Sequence, residues 1–243
     1  MATQPDVATR IKAALEFDTR INLHRWPIRV TLNGAEVRLD GEVEHVGIKR
    51  LALRLATEIA GARVVVDGVR VVPSRSAGDG EIADAFTTAV LAQRELKSCT
   101  LRRRDKGTVK TLQQPELTEP SGDVEFRTGD DGVISLEGRV ISLSHRRILE
   151  ALAWWTPGVR QVEDRLEVVP PEDDNDDELA DAVRLVLEMD PIVNADQIGI
   201  RTAAGVVTLT GLLHRREGRH MAELDAWAVA GVRDVVNRIV VEP

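Results

Sequence analysis

The chain of 243 residues has one cysteine, no tyrosine and only seven aromatic residues, three phenylalanines and four tryptophans. A single thiol, Cys99, excludes an intrachain disulfide and a multi-cysteine zinc site. No stretch approaches the roughly 20 apolar residues needed to cross a bilayer as a helix, so no transmembrane segment is expected. The opening Met1-Ala2-Thr3-Gln4-Pro5-Asp6-Val7 has no basic region followed by an apolar core. That gives no expectation of a secretory signal and points to a cytoplasmic protein. Positive charge is in deficit. A net charge of −8 disfavours nonspecific attraction of the whole chain to nucleic acid or anionic membrane, and no nucleic-acid partner is expected. What is present, 43% hydrophobic and 30% charged residues, is the composition of a soluble globular protein. The length allows one large domain or several small ones.

An internal repeat decides between these. Three glycines each precede a second glycine by twenty residues, and the second precedes a proline by twelve: Gly41, Gly61, Pro73; Gly138, Gly158, Pro170; Gly211, Gly231, Pro243. The flanking columns agree. Val37-x-Leu39-x-Gly41-x-Val43 matches Ile134-x-Leu136-x-Gly138-x-Val140 and Val207-x-Leu209-x-Gly211-x-Leu213. Each copy opens on a helical stripe, for example Leu179, Ala180, Val183, Val186 and Leu187, preceded by an acid (Asp6, Glu81 or Glu178) suited to a helix N-terminus. Two alternating segments follow around a hairpin turn (Asn33-Gly34, Asp131-Gly132, Ala203-Ala204-Gly205), then a second helix closed by glycine and a last alternating strand.

The fold class predicted is therefore α+β: three tandem α-β-β-α-β modules, each two helices on a three-stranded mixed sheet. The boundaries read from the spacing are 6–73, 79–170 and 176–243. Modules this small bury little apolar surface alone, so the copies are expected to pack on one another through sheet faces or edges. The second copy is 24 residues longer than the third between helix stripe and anchor glycine, with the excess near 100–123. Because Pro115, Pro120 and Gly122 fall in it, the excess is predicted to be a mobile loop carrying at most one short strand.

Gly205-Val206-Val207-Thr208-Leu209-Thr210-Gly211, followed after a helix by Gly231-Val232-Arg233-Asp234-Val235-Val236-Asn237-Arg238-Ile239, resembles the BON domain, named for bacterial osmotically inducible and nodulation proteins. The second copy resembles it through Gly132-Val133-Ile134-Ser135-Leu136-Glu137-Gly138 and Gly158-Val159. The first is a weaker match, with Ala62 in place of the valine after the second glycine and Ala35 added to the hairpin. The resemblance implies a non-catalytic module that often occurs in tandem. Some family members bind anionic phospholipid in the envelope, others sit in secretins and channels, and one cytosolic member joined to a LysM domain binds potassium.

Chemistry-bearing residues are sparse. His24, His45, His145, His214 and His220 do not recur at aligned columns, and no cofactor, metal site or enzymatic activity is expected. The acids of 172–178 lack the central glycine of a calcium loop and read as a solvated linker. Lys97 to Lys110 carries a local charge of +5, which makes Arg102, Arg103, Arg104 and Lys106 candidates for an anionic partner. The eighth and ninth residues after each anchor glycine are basic (Lys49-Arg50, Arg146-Arg147, Arg219-His220), which adds Arg146 and Arg147 to that set. Trp154, Trp155 and Trp227, near the end of the second helix, are candidate interface anchors. The reading is a non-enzymatic binding or scaffolding protein whose partner is a protein or a second copy. Peripheral binding of anionic phospholipid through the basic segment is the alternative, and potassium sensing a weaker one.

Overall fold

The computed structural model describes residues 6–116 and 122–242. Pro120, with the rest of 117–121, and Pro243 lie outside the described residues. Residues Met1–Val72 make one compact unit and Pro73–Pro243 a second.

The first unit runs α1 (Val7–Phe17), β1 (Ile28–Asn33), β2 (Glu36–Val43), α2 (Val46–Ala60) and β3 (Val64–Val71). The second unit holds two further copies of that order. One is α3 (Asp79–Ala92), β4 (Cys99–Asp105), β5 (Thr108–Gln113), β6 (Gly122–Gly129), β7 (Val133–Val140), α4 (Leu143–Trp155) and β8 (Gln161–Val168). The other is α5 (Asp176–Met189), β9 (Ile198–Ala203), β10 (Val206–Leu213), α6 (Arg216–Ala228) and β11 (Asp234–Val241). In every copy the middle strand pairs antiparallel with the strand before it and parallel with the strand after the helix.

The apolar stripes become the cores. Ile11 and Leu15, Ile82 and Phe86, and Leu179 and Val183 are buried on the first helices. Leu39, Leu136 and Leu209 are each 0% exposed at equivalent places on the middle strands. In the second copy Phe86 meets Phe126 edge-to-face at 4.8 Å between ring centroids, joining helix to sheet. Asp6, Ser142 and Asn175 cap helix starts, accepting from the Thr9, His145 and Glu178 amides, while Glu81 and Glu178 lie within the first turns of α3 and α5.

The anchor glycine has a steric cause. A Cβ at Gly138 would lie 2.1 Å from the Asp123 carbonyl oxygen, and one at Gly211 would lie 2.0 Å from that of Gln197. The backbone of the neighbouring strand passes where a side chain would be, so the column admits only glycine.

Two expectations are corrected. The described part of the 100–123 excess is not a mobile loop with at most one strand: β4 and β5 form a hairpin through Lys106-Gly107, both with positive φ, and β4 adds parallel to β6. The sheet of this copy therefore has five strands, in the order β5-β4-β6-β7-β8, rather than three. The strand signal was hidden by charge. Cys99 and Leu101 are buried at alternate positions, but the next inward place is Arg103, which reaches past the core to Asp84 on α3. The second correction concerns packing. Within Pro73–Pro243 the copies meet helix on helix, α4 against α5, because the outer sheet face of the longer copy is covered with charge.

Candidate interaction surfaces

Alternation along β4 sends Arg102 and Arg104 to the sheet face opposite the helices and Arg103 to the helix side. None presents a free charge. Arg102 makes two bonds to the Asp123 carboxylate, at 2.6 and 3.0 Å, and Arg104 pairs with Glu125. On the neighbouring strands Arg165 reaches Glu137 at 3.3 Å and Glu163 at 2.9 Å. Acid and base alternate across this face, so it offers an anion little net field. Arg103, with its side chain 18% exposed, is held by Asp84 and Asp105. Arg102 and Arg103 are part-buried, and Arg104 is exposed. Lys106, at the hairpin tip, is exposed.

The basic column at the eighth residue after each anchor glycine has an internal explanation that the sequence reading missed. Lys49 Nζ lies 2.6 Å from Asp67, and Arg146 Nε lies 2.7 Å from Asp164. Arg219 donates to the Ile239 carbonyl at 3.0 Å, while Asn237 Nδ2 donates to the Arg219 carbonyl at 2.8 Å. Asp67, Asp164 and Asn237 stand directly opposite Leu39, Leu136 and Leu209 in the parallel ladders. Each therefore faces under the second helix, where a polar group needs a partner. Each also accepts from the amide two residues on (Val69, Leu166, Ile239). Helix and last strand are thus latched once per module. Burial lowers the Lys49 pKa, against the pull of Asp67. The detectable signal was the break in alternation: Val162-x-Asp164-x-Leu166 puts an acid at an inward place.

Arg147, in the next column, is 5% exposed and crosses between modules. Its Nη2 lies 2.6 Å from Asp174 in the acidic linker, and its Nε donates to the Ala230 carbonyl at 3.0 Å. Its charge is consumed inside the second unit, which corrects the expectation of an anion-facing side chain. Arg146 pairs with Asp164 through Nε while its side chain stays 38% exposed. Two further linker acids are engaged. Glu172 accepts from the Leu143 amide at 2.7 Å. Asp176 accepts from the Ala204 and Gly205 amides of the hairpin turn, which lower its pKa. That contact supports Ala204 at φ +51, where a residue with a side chain is unusual.

Trp227 is 3% exposed within the last module. Trp154 is half-buried against the core of the second module, and Trp155 beside it is also half-buried. His45 caps α2 by accepting from the Gly47 amide, and His145 bridges Ser142 and the Glu95 carbonyl. Burial pushes the Cys99 thiol up to about 11, away from nucleophilic reactivity at neutral pH. Among the described residues no group of three or more His, Cys, Asp or Glu is placed to hold a metal ion, and no helix is long and apolar enough to cross a membrane.

The BON domain family model matches residues 3–73, 106–170 and 175–243. The middle match begins inside the β4–β5 hairpin, downstream of α3. No curated protein matches the chain. Among solved structures, the chain is similar to CdsD, a structural protein of the type III secretion system of Chlamydia trachomatis, at 14% identity. That alignment covers 91% of this chain and 88% of the other, with a TM-score of 0.25. The C-terminal domain of the same protein aligns at 14% identity over 99% and 100% of the two chains, with a TM-score of 0.24. Scores this low establish no common arrangement.

Proposed function

Because the chain belongs to the BON-domain family, we propose that it is a non-enzymatic binding or scaffolding protein of the cytoplasm whose partner is a protein. The observation that supports this most is the contact the chain makes with itself. A helix of one module docks on a helix of the next, and Arg147 crosses the seam to Asp174 and Ala230. A module of this kind is thus a surface that receives other folded elements, while one cation per module is consumed in latching helix to sheet. Cross-linking of the purified chain, alone and in a lysate of its own cells, tests the reading. Specific cross-links from helices or sheet edges to a protein partner or a second copy are expected. A chain that stays monomeric and uncoupled in both settings refutes it.

A second reading is favoured by one observation. Lys106 and Lys110 are exposed on the β4–β5 hairpin, a basic tip that fits peripheral binding of anionic phospholipid. Flotation with anionic vesicles, lost at high salt and in a Lys106→Ser/Lys110→Ser variant, supports it. Flotation of the variant equal to that of the parent removes it.

A further inference from the structure

We infer that the cleft between α3, α4 and α5 is a docking groove for a basic amphipathic segment of a partner protein. The inference rests on the partner-binding reading and assigns it a place. The cleft has a volume of about 590 Å³, within the range of sites that seat several side chains. Its longest wall is one face of α5, where Glu178, Asp181, Ala182, Leu185 and Glu188 follow the spacing of three and four residues that aligns side chains on a helix. The opposite face of α5 is already used, since Leu179, Val183 and Leu187 are buried in the third module. Ile148 of α4 and Ala92 of α3 complete an apolar floor with Leu185 and Ala182.

The rim decides the chemistry of the occupant. Glu95, Glu178, Asp181 and Glu188 line it against Arg94 and Arg184. Arg184 is partly spent, donating to the Ala195 carbonyl at 2.8 Å. Acid therefore prevails around an apolar floor. Glu178 Oε2 is shut off from solvent and has no hydrogen-bond donor among the described residues. The carboxylates that a lysine or arginine entering the cleft can reach are those of Asp181 and Glu188, both exposed on the same face of α5. An apolar side chain on Ile148 and Leu185, flanked by cations on these two α5 acids, satisfies both features. This is the pattern of a helix laid in a groove. A second copy is the poorer occupant, because it brings another net charge of −8. The charged sheet face beside β4 offers no such site, since its acids and bases already pair with one another.

The test uses the full chain and a fluorescein-labelled synthetic 14-residue peptide with leucines on one helical face and lysines on the other. Its counterpart carries glutamate at every lysine position. Fluorescence anisotropy should show the lysine peptide binding at least tenfold more tightly than the glutamate peptide. The Glu178→Gln/Asp181→Asn/Glu188→Gln variant should lose at least tenfold in affinity, and Leu185→Gln at least fivefold. A control removing three exposed acids elsewhere, Glu16→Gln/Glu36→Gln/Glu217→Gln, should stay within twofold of the parent. No binding by the parent, or equal loss in the groove and control variants, overturns the groove. Cross-links to a partner that persist unchanged in the groove variant also overturn it while leaving the partner-binding reading intact. If instead the parent yields no cross-links, it is that reading that fails.

Discussion

Replacing Arg147 with methionine keeps most of the aliphatic stem and removes the guanidinium that joins the second and third modules. Two charge-assisted hydrogen bonds disappear, one to Asp174 at 2.6 Å and one to the Ala230 carbonyl at 3.0 Å. Removing one partner of a buried ion pair costs ~3–5 kcal/mol when the other is left uncompensated. Here the Asp174 side chain is 43% exposed, so its carboxylate returns to water and the cost falls to about 2–3 kcal/mol. The Ala230 carbonyl accounts for part of what remains, as an acceptor that has lost its donor. Hydrogen exchange read by mass spectrometry locates the effect. At about 1.4 kcal/mol per tenfold, exchange in α4 and α5 should accelerate about 30- to 150-fold. Peptides from residues 6–72 serve as the internal reference. Arg147→Lys should fall between, since an ammonium cannot fork to both acceptors as a guanidinium does. Exchange of α4 and α5 in the methionine variant within about threefold of the parent would refute the role assigned to Arg147, given the cost derived above.

Three other outcomes follow from the same structure. Gly138→Ala must move the Asp123 backbone and should cost about 1–3 kcal/mol, whereas Gly80→Ala, in open space on α3, should gain up to about 1 kcal/mol; equal melting points for the two variants would contradict the steric argument. Asp176 has a lowered pKa, first through the Gly205 amide and then that of Ala204. Its stabilisation is therefore complete above the ordinary value of 3.8 and lost as pH falls through the lower folded value. Asp176→Asn should flatten the acid limb of a melting-temperature profile, and an unchanged limb would count against the contact. Replacing Arg102, Arg103 and Arg104 together with serine removes four part-exposed ion pairs and should cost about 1–3 kcal/mol by urea titration. A variant with unaltered stability would mean that the pairs with Asp123, Asp84, Asp105 and Glu125 contribute nothing.

The candidate site was less legible than the fold because a sequence reports which residues are charged and not which charges meet. Arg146 and Arg147 are adjacent and of one type, yet the helix turns one toward Asp164 of its own module and the other into the seam with the next. Lys97 to Lys110 summed to a basic segment only while its strand partners were unknown. Asp123, Glu125 and Asp84, brought alongside by β6 and α3, cancel most of it. The groove between α3, α4 and α5 has no sequence mark at all, since its walls come from residues 92–95, 144–148 and 178–188.

What the sequence determined by itself was the module. Apolar periods of 3.6 and 2, glycines where a backbone must pass closely, and capping residues at helix starts are local requirements, so each copy carries them in its own residues. Alternation along the middle strand is enough to set Leu39, Leu136 and Leu209 on one face with the apolar residues two places before and four places after. Only the tertiary structure decided how the modules and their charges are used: the strand that β4 adds to a sheet, the pairing of each cation, and the docking of α4 on α5. Those depend on distances between residues far apart in the chain, and a pairing energy of a few kcal/mol at most leaves no periodic trace in the sequence.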